Sequence, residues 1–393
     1  MRVSAVSSAA TSRSVSEFMI ITSLTVRNFR NIASADFIFD PKVNIFTGNN
    51  AQGKTNICEA ISVCLGKSFR NPRVGELLPF GSEDAEAVID MTFRFDALDK
   101  ENTISYRQKG NNFRLRFNDI EMKDAEKLYG ALRYVIFIPE DLYIVKGNPE
   151  KRRDYIDFLS NMINRVHNFK LYEYNKALKQ KNNILMNLSV MDENTVFMLE
   201  SWNDTIAKLG VNVMCGRIKY FDMLAAAANE YYGLLNGGNE VLSMRYESSV
   251  MRETPFTADD YESIYSTYLE RLRDSAEREL RMKYTVVGAH RDDISFFINN
   301  MPAKDFASQG QIRSIAVALK LAEAKMILEK SNDLPVIILD DVLSELDEFR
   351  RNFIINHIDD FQIFITSCNL SDLDKFSSGK MWKVEKGGFE AVK

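Results

Sequence analysis

The stretch TGNNAQGKTN carries Gly48, Gly53, Lys54 and Thr55 in the pattern G-x-x-x-x-G-K-T, between the apolar run VNIF and a helix-like segment that opens near Asn56. This spacing suits a polyphosphate. Glycines let the backbone from Gly48 through Asn49, Asn50, Ala51, Gln52 and Gly53 turn its N–H groups inward, and a helix N-terminus adds roughly half a positive charge at the same point. Lys54 is placed to reach the terminal phosphates and Thr55 to ligate magnesium, and the binding segment ends at Asn56.

A site of this kind also needs a carboxylate near the metal. VIILDD (336–341) supplies it at the end of a β-branched run that reads as a central parallel strand. Asp340 stands at the carboxyl end of that strand, where ligands bind in open α/β sheets, and is the expected magnesium ligand. Asp341 is the candidate to orient or deprotonate an attacking water. Ser308, Gly310 and Gln311 directly precede a strongly periodic helix within 307–330, giving a serine N-cap with free backbone donors. Beside the other two motifs it reads as a second anion site. Further candidates are Arg27 and Arg30 in VRNFRN, on a strand and turn leading toward the nucleotide. Glu140 and Asp141 follow the buried run RYVIFIP and are placed to watch the metal. His290, Arg291, Asp292 and Asp293 cluster after an apparent strand, which favours a switch or an interdomain contact.

These residues need a scaffold larger than one compact domain, and 393 residues provide it. From Ile20 to Arg116 the pattern is strand-rich, with a Gly-Asn-Asn turn between two alternating arms, TISYRQKGNNFRLRF. Between about Glu150 and Lys283 the period becomes helical without a sustained heptad. Strand patterns return at YTVVGAH, ISFFIN, VIILDD and IFITS. The expected organisation is α/β: a discontinuous nucleotide-binding domain of residues 19–149 and 284–393, interrupted by a helical lobe of 150–283. Residues 1–18, serine-rich and nearly free of acids, are expected to be an upstream start or a disordered tail before Met19.

Hydrophobic content of 45% and charged content of 27% fit a soluble globular protein. No stretch approaches the roughly 18 apolar residues of a membrane span. Four cysteines without a CxxC pair, and only three histidines, leave no zinc constellation and fit a reduced, cytosolic protein. The net charge of −5 argues mildly against nucleic acid, although local clusters rather than totals contact phosphate.

Ser-x-Gly-Gln before a helix, an apolar strand ending Asp-Asp, and SELD (344–347) resemble the ATP-binding-cassette heads of the SMC class. The resemblance implies a mixed sheet around the phosphate loop, ATP and Mg2+ as ligands, and a dimer that shares its nucleotides. In it Ser308, Gly310 and Gln311 act in trans on the phosphates held by a second chain, and Asp347 couples the two sites. SLTVRNFRNI, GNNAQGKTN, IPEDLYIVKGNPEKRRDYID, GAHRDDI, SQGQIRS and LDDVLSELD follow the order of the RecF family of recombinational-repair ATPases, from Met19 across nearly the whole chain. That family implies DNA replication and repair, gapped or junction DNA as well as duplex, RecR as partner, and through it RecO and loading of the RecA recombinase.

Three departures from the family pattern touch no phosphate or metal ligand: Ala51 for a glycine, Ala289 for a proline, Ile312 for a glutamine. Transporter cassettes carry a histidine after the strand beyond Asp340. IFITS offers Thr366 and Ser367 instead, which implies slow hydrolysis. Local basic clusters are the expected DNA contacts: Arg107, Lys109, Arg114 and Arg116 near the hairpin tip, Lys151, Arg152 and Arg153, and Lys176, Lys179 and Lys181. The alternatives are a transporter ATPase subunit, which needs a membrane partner, and another SMC-like chromosome ATPase, which needs long heptad arms.

Overall fold

The computed structural model describes residues 19–66, 68–70, 76–81, 85–95, 98–122, 128, 130–188, 193–368 and 379–392. The expected N-terminal extension, residues 1–18, lies outside them.

Alternating burial builds the first sheet. In β1 (Met19–Phe29) and β2 (Ile32–Ile38) buried side chains alternate with open ones, with a register shift between Ile21 and Ser23, as a sheet with one covered face requires. These strands pair antiparallel with β4 (Glu86–Phe95), β5 (Leu98–Lys109), β6 (Asn112–Phe117) and β7 (Ile120–Met122) in the order β2-β1-β4-β5-β6-β7. The second sheet reads differently, because its apolar runs are continuous. β3 (Val43–Thr47), β8 (Tyr134–Phe137), β12 (Val336–Asp340) and β13 (Ile363–Ser367) are buried at every position. With β14 (Lys380–Glu385) and the edge strand β15 (Gly388–Ala391) they form β15-β14-β3-β13-β12-β8, parallel from β14 to β8.

Aromatic rings fill the space between the sheets. Phe46 stacks on Trp382 with centroids 5.1 Å apart, and Phe39 meets Phe364 edge-on at 4.8 Å. The Gln362 amide accepts from Ile21 N–H and donates to the Ile21 and Asp40 carbonyls, all within 3.0 Å, tying β1 to the start of β13. Helix α1 (Lys54–Cys64) touches both sheets, which explains why residues from Ile57 to Cys64 are buried all round.

Five helices follow: α2 (Pro149–Ile163), α3 (Val166–Asn187), α4 (Glu193–Asn236), α5 (Tyr261–Asp274) and α6 (Ala276–Met282). They hold a second apolar core around Ile206, Val211, Met214, Ile264, Tyr268 and Leu272. One strand within this region, β9 (Leu242–Glu247), pairs antiparallel with β10 (Asp293–Ile298), and β11 (Met301–Pro302) completes the small sheet. YTVVGAH, expected to be a strand, is irregular and ends in a 3-10 turn, Ala289–Arg291. Its backbone donors are satisfied by side chains instead of a neighbouring strand: Thr285 N–H by Asn182, Val286 N–H by Glu279, Gly288 N–H by Ser249 and Ala289 N–H by Tyr268. After the short α7 (Ala303–Phe306), α8 (Gln309–Ser331) and α9 (Glu348–His357) cover β8 and β12 on the face away from α1.

Candidate functional site

The phosphate loop joins β3 to α1 and depends on close backbone approach. A Cβ on Gly48 would collide with the Val384 carbonyl oxygen, and Gly53, at φ +115°, would press a Cβ to 2.8 Å from Asn31 Oδ1. Ala51 adopts φ +62°, a left-handed conformation that explains why a glycine suits this position. Lys54 is buried, and its Nζ donates to Gly48 O at 2.6 Å, Asn49 O at 2.9 Å and Cys368 Sγ at 3.2 Å. The loop lines a concavity of about 160 Å3 shared by Asn50 to Asn56, Arg70 and Asp341.

Strand order supplies the rest. β13 lies between β3 and β12, so its end stands between the loop and Asp340. Thr366 Oγ1 donates to Asp340 Oδ1 at 2.7 Å, and Thr55 also hydrogen-bonds that carboxylate. Burial pushes the Asp340 carboxyl above its ordinary range, opposed by these two bonds and by the charge of Arg70. A hydroxyl and a buried carboxylate in contact are hard oxygen donors of the kind magnesium takes. Asp341 sits at φ +53° with its N–H directed to Thr366, and Ser344 Oγ donates to its carbonyl.

A second, larger cavity of about 590 Å3 opens from Thr55, Arg70, Asp340 and Asp341 toward the turn Pro139–Tyr143 and α2. Glu140 lines it together with Thr55 and Asp340, and is exposed. Its neighbour Asp141 is engaged by Lys320 of α8 at 3.5 Å. Lys320 also lies 3.2 Å from Glu323, whose carboxyl is pushed by burial up to about 7.

Ser308 caps α8. Its Oγ accepts from Gln311 N–H at 3.2 Å, while Gln311 Oε1 accepts from Ser308 N–H at 2.8 Å, a reciprocal capping box. Gln311 is thereby turned inward and also donates to Glu240 at 2.7 Å, so in the single chain its side chain holds the serine. Asp347 caps α9, accepting from Arg350 N–H at 2.9 Å, and Arg350 continues to Ser314 Oγ and passes beside Gly310. Against burial, which raises it, the N–H and charge of Arg350 hold the Asp347 carboxyl low.

Several expected residues are placed elsewhere. Arg27 pairs with Asp36 of β2 at 2.7 Å, and Arg30 forks onto the buried Glu59 of α1, which also meets Arg70. Arg152 is buried against Asp293, Lys181 is buried against Glu279, and Arg107 pairs with Asp90, so these three do not present free charge. Arg153 donates to the Asp292 carbonyl, and Lys151 lines the large cavity. Lys109, Arg114, Arg116, Lys176 and Lys179 are exposed. His290 is half-buried, its Nε2 facing Thr285 O at 2.9 Å and its Nδ1 facing Tyr174 OH at 2.7 Å.

Three residues escaped the sequence reading. Cys368, one step beyond IFITS, stands before Lys54 and Asp341, donates to Asn50 Oδ1 at 2.6 Å, and takes the place expected for Thr366 or Ser367. Arg70 lines both cavities and donates to Asn56. Asn31 holds the loop through Gln52 O and Asn56. Only Arg70 had a signal, as one of three bases, Lys67, Arg70 and Arg73, soon after the loop helix.

A profile of the RecF/RecN/SMC N terminal domain matches residues 20–386. The DNA replication and repair protein RecF of Ruminiclostridium cellulolyticum is 36% identical over 352 residues, covering 89% of this chain and 93% of that protein. Two solved structures of the recombination mediator protein RecF in the RecFOR pathway, RecF-ATPrS and RecF-ATP, match with TM-scores of 0.86 and 0.85. Their identities are 31% and 29%, over 96% and 98% of this chain and 100% of each of theirs.

Proposed function

The chain belongs to the RecF family of DNA replication and repair proteins, and from that premise we propose that it is an ATP-operated DNA clamp that closes as a dimer. Residues 19–149 and 284–393 form the ATPase unit in this reading, and 150–283 the lobe that moves with α8 and its capping Ser308.

One observation carries the dimer. Ser308 lines neither cavity, and α8 puts about 18 Å of helix axis between it and Lys320, the α8 residue that reaches the chain's own nucleotide cavity. A contact between Ser308 and a γ-phosphate therefore calls for a second copy of the chain.

The loop N–H groups of Gly48 to Thr55 and the ammonium of Lys54 bind the phosphates, with Arg70 poised beside them. Thr55 and Asp340 would hold a magnesium ion, whose charge would offset that of the phosphates. Asp341 orients the attacking water. Ser308 of the second chain donates to the γ-phosphate, and the closed pair presents the exposed Lys109, Arg114, Arg116, Lys176 and Lys179 of both chains to duplex or gapped DNA. Hydrolysis removes the shared phosphate and opens the clamp. Hydroxyls at the end of β13 and the thiol that follows it offer less to developing charge than an imidazolium would, which fits a slow timer. By family, the closed form hands on to RecR, RecO and RecA loading in the cytoplasm.

Fluorescence anisotropy on duplex, single-stranded and gapped DNA, with and without ATP and magnesium, tests the clamp. ATP should tighten binding to duplex-containing substrates; equal binding without nucleotide would exclude it.

A further inference from the structure

The signature serine is held from outside its own helix. Gln311 has one amide oxygen and one amide nitrogen to place, and two neighbours decide which goes where. Ser308 N–H needs an acceptor and receives Oε1 at 2.8 Å; the Glu240 carboxylate needs a donor and receives Nε2 at 2.7 Å. A flipped amide would set donor against donor and acceptor against acceptor. Glu240 is fixed in turn by Tyr232, a fully buried residue of α4 whose hydroxyl donates to Oε2 at 2.6 Å, and by Asn236, which donates to the Glu240 carbonyl at 3.1 Å. Glu240 lies in the turn between α4 and β9, just past Gly237 and Gly238, both in the left-handed region, so its direction is set by a tight backbone reversal.

The consequence falls on one proton. With Gln311 N–H donating to Ser308 Oγ at 3.2 Å, the serine oxygen is engaged as acceptor, and its O–H proton has no acceptor among the described residues. The serine therefore faces outward as a donor, the polarity an anion requires. An amide bound to a carboxylate is charge-assisted and stronger than a neutral pair, so the restraint on Gln311 is firm.

We propose that Glu240 is a positioning residue for the trans site: through Gln311 it fixes Ser308 as a donor toward the triphosphate held by a second chain, and so ties the helical region to dimer closure. This rests on the shared-site reading above.

The test uses mixed dimers in which only one site can load ATP. One chain carries Lys54→Ala and a donor dye, the other has intact Lys54 and an acceptor dye, so energy transfer reports mixed pairs alone. Glu240→Ala is placed on either chain, with its thermal melt recorded. On the Lys54→Ala chain, whose signature serves the loaded site, it should weaken ATP-dependent pairing about tenfold, roughly 1.4 kcal/mol, and on the other chain by less than about twofold. Glu240→Gln, which keeps an acceptor for the Gln311 amide, should lose less. Equal losses in both placements, or no loss in either, would overturn the proposal. Ser308→Arg is carried through the same arms. If it shows the polarity and Glu240→Ala does not, only this inference falls; if Ser308→Arg shows none, the shared site itself is wrong.

Discussion

Thr366 Oγ1 donates to Asp340 Oδ1 at 2.7 Å and accepts from Asp341 N–H at 2.9 Å, so one hydroxyl on β13 holds the carboxylate that ends β12 and the backbone of the residue after it. The strand between the loop and the acidic pair thus does more than space them. Its hydroxyl stabilises a buried charge that burial alone would suppress.

Thr366→Val keeps the shape and removes the bond. It should cost about 1–3 kcal/mol of stability and leave Asp340 harder to ionise. ATP hydrolysis by the variant should then need more magnesium and a higher pH, whereas Thr366→Ser should stay near wild type. A magnesium titration of hydrolysis at several pH values reads this directly.

Ala51→Gly should relieve the left-handed strain at φ +62°. Urea unfolding should show a gain of about 0.5–1 kcal/mol, part of the left-handed cost being returned as unfolded-chain entropy. ATP affinity should hold or rise.

Basic residues divide by burial. Arg152→Ala strands the partly covered Asp293 and should destabilise the protein by about 3–5 kcal/mol. The exposed set Lys109, Arg114 and Arg116, changed together to Ala, should leave the melting temperature unchanged, lower DNA affinity and flatten its dependence on salt. Salt-dependent anisotropy beside thermal melts separates the two classes.

His290 gives a pH signature. Burial pushes it down to about 4, opposed by the Thr285 carbonyl and aided by Arg291, Arg153 and Lys181. The folded value lies below the unfolded one, so its contribution is present above the unfolded pKa near 6.5 and is lost as pH falls through that window toward 4. Glu323, raised to about 7, has the opposite sign, so wild type alone blurs the effect. Against His290→Gln, wild type should lose about 2 kcal/mol of its relative stability between pH 8 and pH 5, measured by urea unfolding.

The parts legible from sequence were those whose meaning is local. The loop from Gly48 to Thr55 works through backbone turns and a helix start, and Asp340 through the end of its own strand, so a short window names both. The four fully buried strands of the second sheet were legible because burial on both faces favours a largely apolar run. Charge was not. Arg152 and Lys181 look like Lys109 until Asp293 and Glu279, more than ninety positions away, are folded against them. YTVVGAH has the composition of a strand, yet four side chains from other elements take its backbone donors. Cys368 was missed because its role depends on where β13 ends relative to Lys54. The capping box of Ser308 and Gln311 was legible too, because Ser-x-x-Gln is its spacing, but the bond from Gln311 to Glu240, 71 positions away, was not.

Sedimentation of wild type and Ser308→Arg, each with and without ATP and magnesium, tests the shared site most directly. The account predicts that wild type passes from monomer to dimer on adding ATP, while Ser308→Arg binds ATP as tightly as wild type and stays a monomer. A Ser308→Arg chain that dimerises with ATP as wild type does would contradict it.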